Sequence, residues 1–305
     1  MSPPSLLLAA LHRLLTPSQP PELDMVTFSS QLCAASRALE TSLPPPLRLF
    51  TDPYAELLAG PEALSRARAR MVSMLHLAIP ARPRIAIRTR YFDDFANSAL
   101  HRFAPGKAQL VSLAAGLETR AFRLCELSDQ VALFEVDRQE VFDRKERLLA
   151  DVQPTPQVRA GSRTVVDADL AEPDWTRKID EAGFDRALRT VWLLEGLLYY
   201  LDEERVTQLL REVWEISAVG SCVCFSVVTG LAKHYKKSDT LANYFKSAMP
   251  DPHAVLSEAG WSLDAVDQLG GPNANYGRWQ TSETIGLDDW RSTRSTIYVS
   301  ATKRR

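Results

Sequence analysis

The chain has 305 residues, of which 45% are hydrophobic and 24% charged, the balance of an ordinary soluble globular protein. Its 36 lysines plus arginines against 38 aspartates plus glutamates leave no basic footprint for nucleic acid or an anionic membrane surface. No apolar stretch approaches the ~20 residues that a membrane-spanning helix needs. Cys33, Cys125, Cys222 and Cys224 fit neither a disulfide framework nor a zinc spacing, and the five histidines include no pair at helical ligand spacing. The expectation is a cytoplasmic protein with reduced thiols and no metal.

The amino terminus carries an apolar run from Leu6 to Leu15, followed by Pro17, Pro20 and Pro21. Its only basic groups, His12 and Arg13, lie inside the run, which makes a poor signal peptide. The first 22 residues are acid-poor, so an organelle transit segment stays open beside an amphipathic helix or a frayed tail. Residues 26–47 read as a helix with Phe28, Leu32, Ala35 and Leu39 at helical spacing, ended by Pro44, Pro45 and Pro46. Residues 53–79 look helical, with Leu57, Leu64 and Met71 spaced by sevens. Arg84 to Arg102 repeats the pattern through Ile87, Tyr91, Phe95 and Leu100.

From residue 108 the texture changes. Apolar runs without polar alternation (AQLVSLAAG, QVALFEVD, RTVVDADL, LRTVWLLEG and SCVCFSVVTG) are separated by helical segments up to residue 229. That is the pattern of a parallel sheet covered on both faces. Residues 230–252 are polar and aromatic and interrupt it; HAVLSEAGW, SLDAVDQL and STRSTIYVSATKR then resume as helix, strand and strand. The expected architecture is an α/β, Rossmann-like doubly wound sheet over residues 84–305. A helical extension or cap is expected over residues 1–83, and a cap insertion at about 230–252.

In open α/β sheets ligands bind beyond the carboxyl ends of the strands. The first strand runs into Ala114-Ala115-Gly116-Leu117-Glu118, where small residues let the backbone approach a ligand. A single glycine is not the three-glycine loop that cradles a pyrophosphate, and suits a ligand without phosphates better. The second strand ends at Glu135 and Asp137, two carboxylates on one face that can accept from a ribose diol or simply face solvent. After the third, Asp169 can receive an adenine amine with Leu170 packed on the ring, or cap a turn. Glu195 ends the apolar fourth strand, where an unpaired carboxylate is expensive to bury; a sulfonium ligand with its α-amino group would supply the missing positive charge. Tyr199 and Tyr200 follow, as ring faces for that cation or as core.

The segments RTRYFDD (88–94), LVSLAAGLETRAFRL (110–124), FEVDRQEV (134–141), VDADL (166–170) and WLLEGLLYYL (192–201) resemble the leucine carboxyl methyltransferase superfamily, in particular its bacterial and plant branch. The resemblance runs from about residue 84 to 229 and weakens outside. It implies a class I methyltransferase sheet, mostly parallel with a last antiparallel strand, and S-adenosyl-L-methionine as cofactor. It also implies cofactor contacts at Arg88 or Arg90, Gly116, Asp137, Asp169, Leu170 and Glu195. One of the two arginines would pair with the methionine carboxylate, and Arg90 is preferred. Glu118 stands where the family loop has aspartate. The function expected is O-methyl transfer to a carboxylate or hydroxyl of a small molecule, with no nucleic-acid or membrane partner. Methylation of a protein carboxyl terminus and non-catalytic cofactor binding are the alternatives. A nicotinamide oxidoreductase should carry a fuller glycine fingerprint and a Tyr-x-x-x-Lys pair, which are absent. No base constellation stands out: His234 and Tyr235 in the insertion are the cap candidates, and Lys233, Lys236 and Lys237 could neutralise an acidic substrate or face solvent.

Overall fold

The apolar strands form because they are buried on both faces: every residue of β1 (Ala108–Leu113), β4 (Thr190–Leu194) and β5 (Cys222–Val228) is shielded from solvent. The computed structural model describes residues 22–76, 82–230, 244–249, 251–279 and 295–305. Its seven strands lie in the order β3-β2-β1-β4-β5-β7-β6. β2 (Val131–Asp137), β3 (Ser162–Asp167) and the three central strands pair in parallel. β7 (Thr296–Thr302) enters antiparallel between β5 and β6 (Ser262–Gln268). Strand order reverses between β1 and β4, which puts the topological switch point at the carboxyl ends of those two strands.

Helices cover both faces. On one side α1 (Glu22–Thr41), α2 (Ala55–His76) and α3 (Arg84–Phe103) pack a core in which Leu110, Leu133, Cys222, Cys224 and Tyr298 meet Ala35, Leu58 and Phe92. On the other, α6 (Trp175–Glu181) and α7 (Glu203–Glu215) close over Val111, Phe134, Trp192 and Phe225. Between them in sequence lie the four-residue α4 (Arg120–Arg123) and α5 (Gln139–Ala150), with α8 (Pro252–Glu258) before β6. No helix among the described residues is long and apolar enough to cross a membrane.

Two helix readings need correction. α1 ends at Thr41, before the prolines. In α2 the sevens-spaced residues do not share one environment: Leu57 and Met71 are 39% and 45% exposed, while Leu64 is buried with Ala55, Leu58, Ala59 and Ala63. Gly60, whose φ of 74° interrupts the helix ahead of Pro61, breaks the phase between Leu57 and Leu64. The first 21 residues, including the Leu6–Leu15 run, lie outside the described residues, as do His234, Tyr235, Lys233, Lys236 and Lys237.

Trp192 is the largest anchor of the α6/α7 face. It is fully buried, meets Trp175 edge-on at 6.2 Å and Phe184 at 5.4 Å, and donates its indole N–H to Ser217 Oγ at 2.8 Å. Trp192→Ala is expected to lower unfolding stability by about 3–5 kcal/mol, read as a shift of the urea midpoint at unchanged slope. A loss below about 1 kcal/mol would mean that this face is not well packed.

Candidate functional site

The loop leaving β1 takes a conformation that L-residues avoid. Ala114 (φ 54°) and Gly116 (φ 56°) are both left-handed, which turns the chain sharply and lays its backbone along the cleft. The Gly116 N–H donates to Asp137 Oδ2 at 2.6 Å, and the Arg138 N–H to Asp137 Oδ1 at 2.8 Å. Each oxygen keeps a lone pair, and Asp137 borders the cleft. Burial pushes its carboxyl above the ordinary value, against the pull of those two N–H groups. At the end of β3, Asp169 is exposed to the cleft and accepts from the Ala171 N–H at 2.9 Å, so the turn-capping role is also filled. Leu170 beside it is 5% exposed.

The cleft itself encloses roughly 2220 Å3, well above the ~300–1,000 Å3 of a single-ligand pocket. Its floor carries buried polar atoms with no partner among the described residues: Ser112 Oγ, Glu118 Oε1 and Tyr298 Oη. A buried polar atom left without a partner costs about 1–3 kcal/mol. Three such atoms belong to residues that line this one cleft, which is where unmet hydrogen-bonding capacity gathers.

Beside these atoms runs an alternating chain of buried charges. Arg37 Nε donates to Asp52 Oδ2 at 2.8 Å, and Arg123 Nε lies 3.9 Å from the same oxygen. Arg123 also pairs with Asp93, which accepts from Arg120 Nε at 2.8 Å. The other two nitrogens of Arg120 reach Glu118 and, at 2.6 Å, Glu195 Oε2. Arg88 Nε closes the chain on Glu195 Oε1 at 2.8 Å. No side chain in it is more than 16% exposed. Burial alone would raise the Glu195 carboxyl; Arg120 and Arg88 outweigh it and hold it at about 2.

This arrangement changes several readings. Glu195 reaches the cleft as expected, but two arginines already balance its charge, so its burial calls for no cationic ligand. The preference for Arg90 is corrected: its Nε pairs with Asp94 at 2.8 Å and its Nη1 with the Leu49 carbonyl at 2.7 Å, on the helix face away from the cleft. Arg88 is the arginine that borders the cleft. Among the described residues its terminal nitrogens meet only Tyr199 Oη (3.3 Å) and Cys33 Sγ (3.4 Å), partners that a carboxylate can displace. Glu135 is withdrawn from the site altogether: fully buried, it pairs with Lys145 Nζ at 2.7 Å and with Arg163. Tyr199 and Tyr200 border the cleft and pack on Phe245 and on each other. Sequence reasoning missed Asp93, Arg120 and Arg123. Their signal was there, as DD in RTRYFDD and as arginines three apart in an otherwise apolar TRAFRL.

Removing Arg120 leaves three carboxylates facing one another in a dry setting. Arg120→Met is expected to cost about 3–5 kcal/mol of stability, measured by urea unfolding at neutral pH. Because Glu195 in the folded chain lies below its ordinary 4.5, its ion pairs stabilise above pH about 4.5 and are lost as pH falls towards 2. Glu195→Gln should flatten that part of the acid-unfolding curve. An unchanged wild-type-like curve would contradict the pairing.

Comparison with known proteins identifies the family. The family model described as leucine carboxyl methyltransferase matches residues 30–214. A Mycobacterium ulcerans (strain Agy99) protein named "Putative S-adenosyl-L-methionine-dependent methyltransferase" is 37% identical over 79% of this chain and 74% of its own. A Mycobacterium tuberculosis (strain ATCC 25177 / H37Ra) protein of the same name is 34% identical, over 72% and 71%. Among solved structures, a "putative methyltransferase" from Thermobifida fusca YX superposes over 90% of this chain and 94% of its own, with a TM-score of 0.50 at 14% identity. A DUF574 family protein from Streptomyces avermitilis gives a TM-score of 0.50 at 13% identity, over 88% and 96%. At such identities the superpositions speak for the fold, the class I methyltransferase sheet. The chain belongs to the leucine carboxyl methyltransferase family of enzymes.

Proposed function

We propose that this methyltransferase takes S-adenosyl-L-methionine as its methyl donor and passes the methyl group to a carboxylate or hydroxyl oxygen of a small molecule. The observation that carries the reading is Asp137. It ends β2, the neighbour of switch-point strand β1, is pinned by the Gly116 and Arg138 N–H groups, and keeps one lone pair on each oxygen at the cleft. That is the acceptor pattern a vicinal ribose diol requires. Asp169 and Leu170 would take the adenine, one by accepting from its amine and the other by packing on its face. Arg88, steered by Glu195, would take the methionine carboxylate with its terminal nitrogens. The left-handed Ala114–Gly116 turn keeps side chains out of the way.

When bound, the donor supplies an electrophilic methyl on a sulfonium, and transfer dissipates positive charge. What the chain must contribute is position and dryness, worth up to ~7–11 kcal/mol in well-oriented systems. A hydroxyl acceptor would also need a base. The described residues bordering the cleft include no histidine. Burial raises the Tyr199, Tyr200 and Tyr298 hydroxyls, which stay protonated at neutral pH. Such surroundings favour an acceptor that arrives already ionised, as a carboxylate of ordinary pKa about 4 does.

Titration calorimetry with S-adenosyl-L-methionine tests the reading. Wild-type protein should bind at micromolar levels, and Asp137→Ala should weaken binding at least tenfold while leaving the cooperative melt in place. Absence of binding by folded wild-type protein would overturn the cofactor assignment.

A further inference from the structure

Most arginines bordering the cleft hold a carboxylate, Arg37, Arg88, Arg120, Arg123 and Arg278 among them, whereas Arg82 on the rim holds none among the described residues. Arg84 holds none either. It opens α3 immediately after Pro83, four residues and hence one turn from Arg88, on the same helix face. Its contact among the described residues is the ring of Trp279, 5.2 Å away, over which Arg82 also sits at 5.5 Å. The charged side chains that bear on it, Arg82 and Arg70, are both cationic. The helix end adds to the imbalance, since α3 has no acidic residue in its first turn and no side chain caps its N-terminus.

A second observation comes from the strand that packs against α3. Tyr298 is fully buried on β7, its ring against Tyr91 and Phe92, yet its hydroxyl has no hydrogen-bond partner among the described residues. It borders the same cleft, and the charges that act on it are Arg88, Glu195 and Arg84. So a hydroxyl with a proton to donate lies within electrostatic reach of both the locked arginine and the unpaired one. An acid group placed there would gain the Arg84 guanidinium, the hydroxyl and the helix terminus together. A neutral or cationic group would meet like charge instead.

We propose that Arg84, the amino terminus of α3 and the Tyr298 hydroxyl form an anion subsite that docks an acid group of the methyl acceptor. The acceptors of this enzyme are then organic acids. Their bodies lie against the apolar side of the cleft, which Tyr199, Phe245, Val228 and Leu269 line. The subsite rests on the methyltransferase reading for its role, although its existence can be tested without the cofactor. It also gives Arg84 and Arg88 separate tasks on one helix face. Arg88 is fixed by Glu195 at the strand ends, and Arg84 selects acids one turn further out.

The test is calorimetric titration of the full chain with phenylacetate and hexanoate, each against its neutral amide, with and without saturating S-adenosyl-L-homocysteine. Wild-type protein should bind at least one acid tenfold or more tightly than its amide. Arg84→Gln should abolish that preference while binding S-adenosyl-L-homocysteine as wild type does. Arg84→Lys should restore part of it, and Tyr298→Phe should weaken the acid severalfold without touching the amide. Acid and amide binding equally, neither binding at millimolar concentration, or an acid preference that survives Arg84→Gln would each overturn the subsite. If the acid preference appears but S-adenosyl-L-homocysteine does not bind, the subsite stands and the cofactor assignment falls.

Discussion

The cleft depends on one buried guanidinium. Arg120 reaches carboxylates from three parts of the chain: Asp93 on α3, Glu118 in the β1 loop and Glu195 at the end of β4. None of these segments is adjacent in sequence to all the others, yet they converge because a planar fork of donors can serve several acceptors at once. Burying so many charges is expensive, and the desolvation is offset only when each charge meets its opposite with good geometry. Alternation satisfies that condition here, with Arg37, Arg123 and Arg88 interleaved among Asp52, Asp93 and Glu195. The result is a rigid seam joining the helical layer to the strand ends at the switch point.

From this seam the rest of the site follows. Glu195, held from two sides, fixes Arg88 at the cleft with its outer nitrogens lightly occupied. Leu117 and Gly116 are held nearby, because Arg37 also donates to the Leu117 carbonyl and Gly116 to Asp137. The cleft is thereby polar at its floor and apolar along the wall of Tyr199 and Phe245. Such a division suits one molecule with a charged end and a sugar, and another with an apolar body.

Much of this was legible in the sequence because it rests on short-range rules. Unbroken apolar runs fixed the parallel sheet, and the one glycine after β1 marked the ligand edge. Carboxylates at successive strand ends, Asp137 and Asp169, fell where the topology brings them together. What could not be read was the helix phase around Arg88 and Arg90. Two residues apart, they point to opposite sides, and the choice is made by the Leu49 carbonyl and Asp94, which hold Arg90 outside. Long-range charge partners were equally hidden: Glu195 looked like a group in want of a cation, because nothing local reveals Arg120 some 75 residues away. Likewise the break of α2 at Gly60, between Leu57 and Leu64, is not visible in a spacing by sevens.

The central claim is that one cleft, bounded by α3 and the ends of β1, β2 and β4, is the donor site of the enzyme. Hydrogen–deuterium exchange with and without S-adenosyl-L-homocysteine tests it most directly. Slowed exchange concentrated at residues 84–94, 112–120, 136–139 and 194–200, with the outer edge at β6 unchanged, is the expected result. Protection elsewhere, or none at saturating ligand, would contradict it.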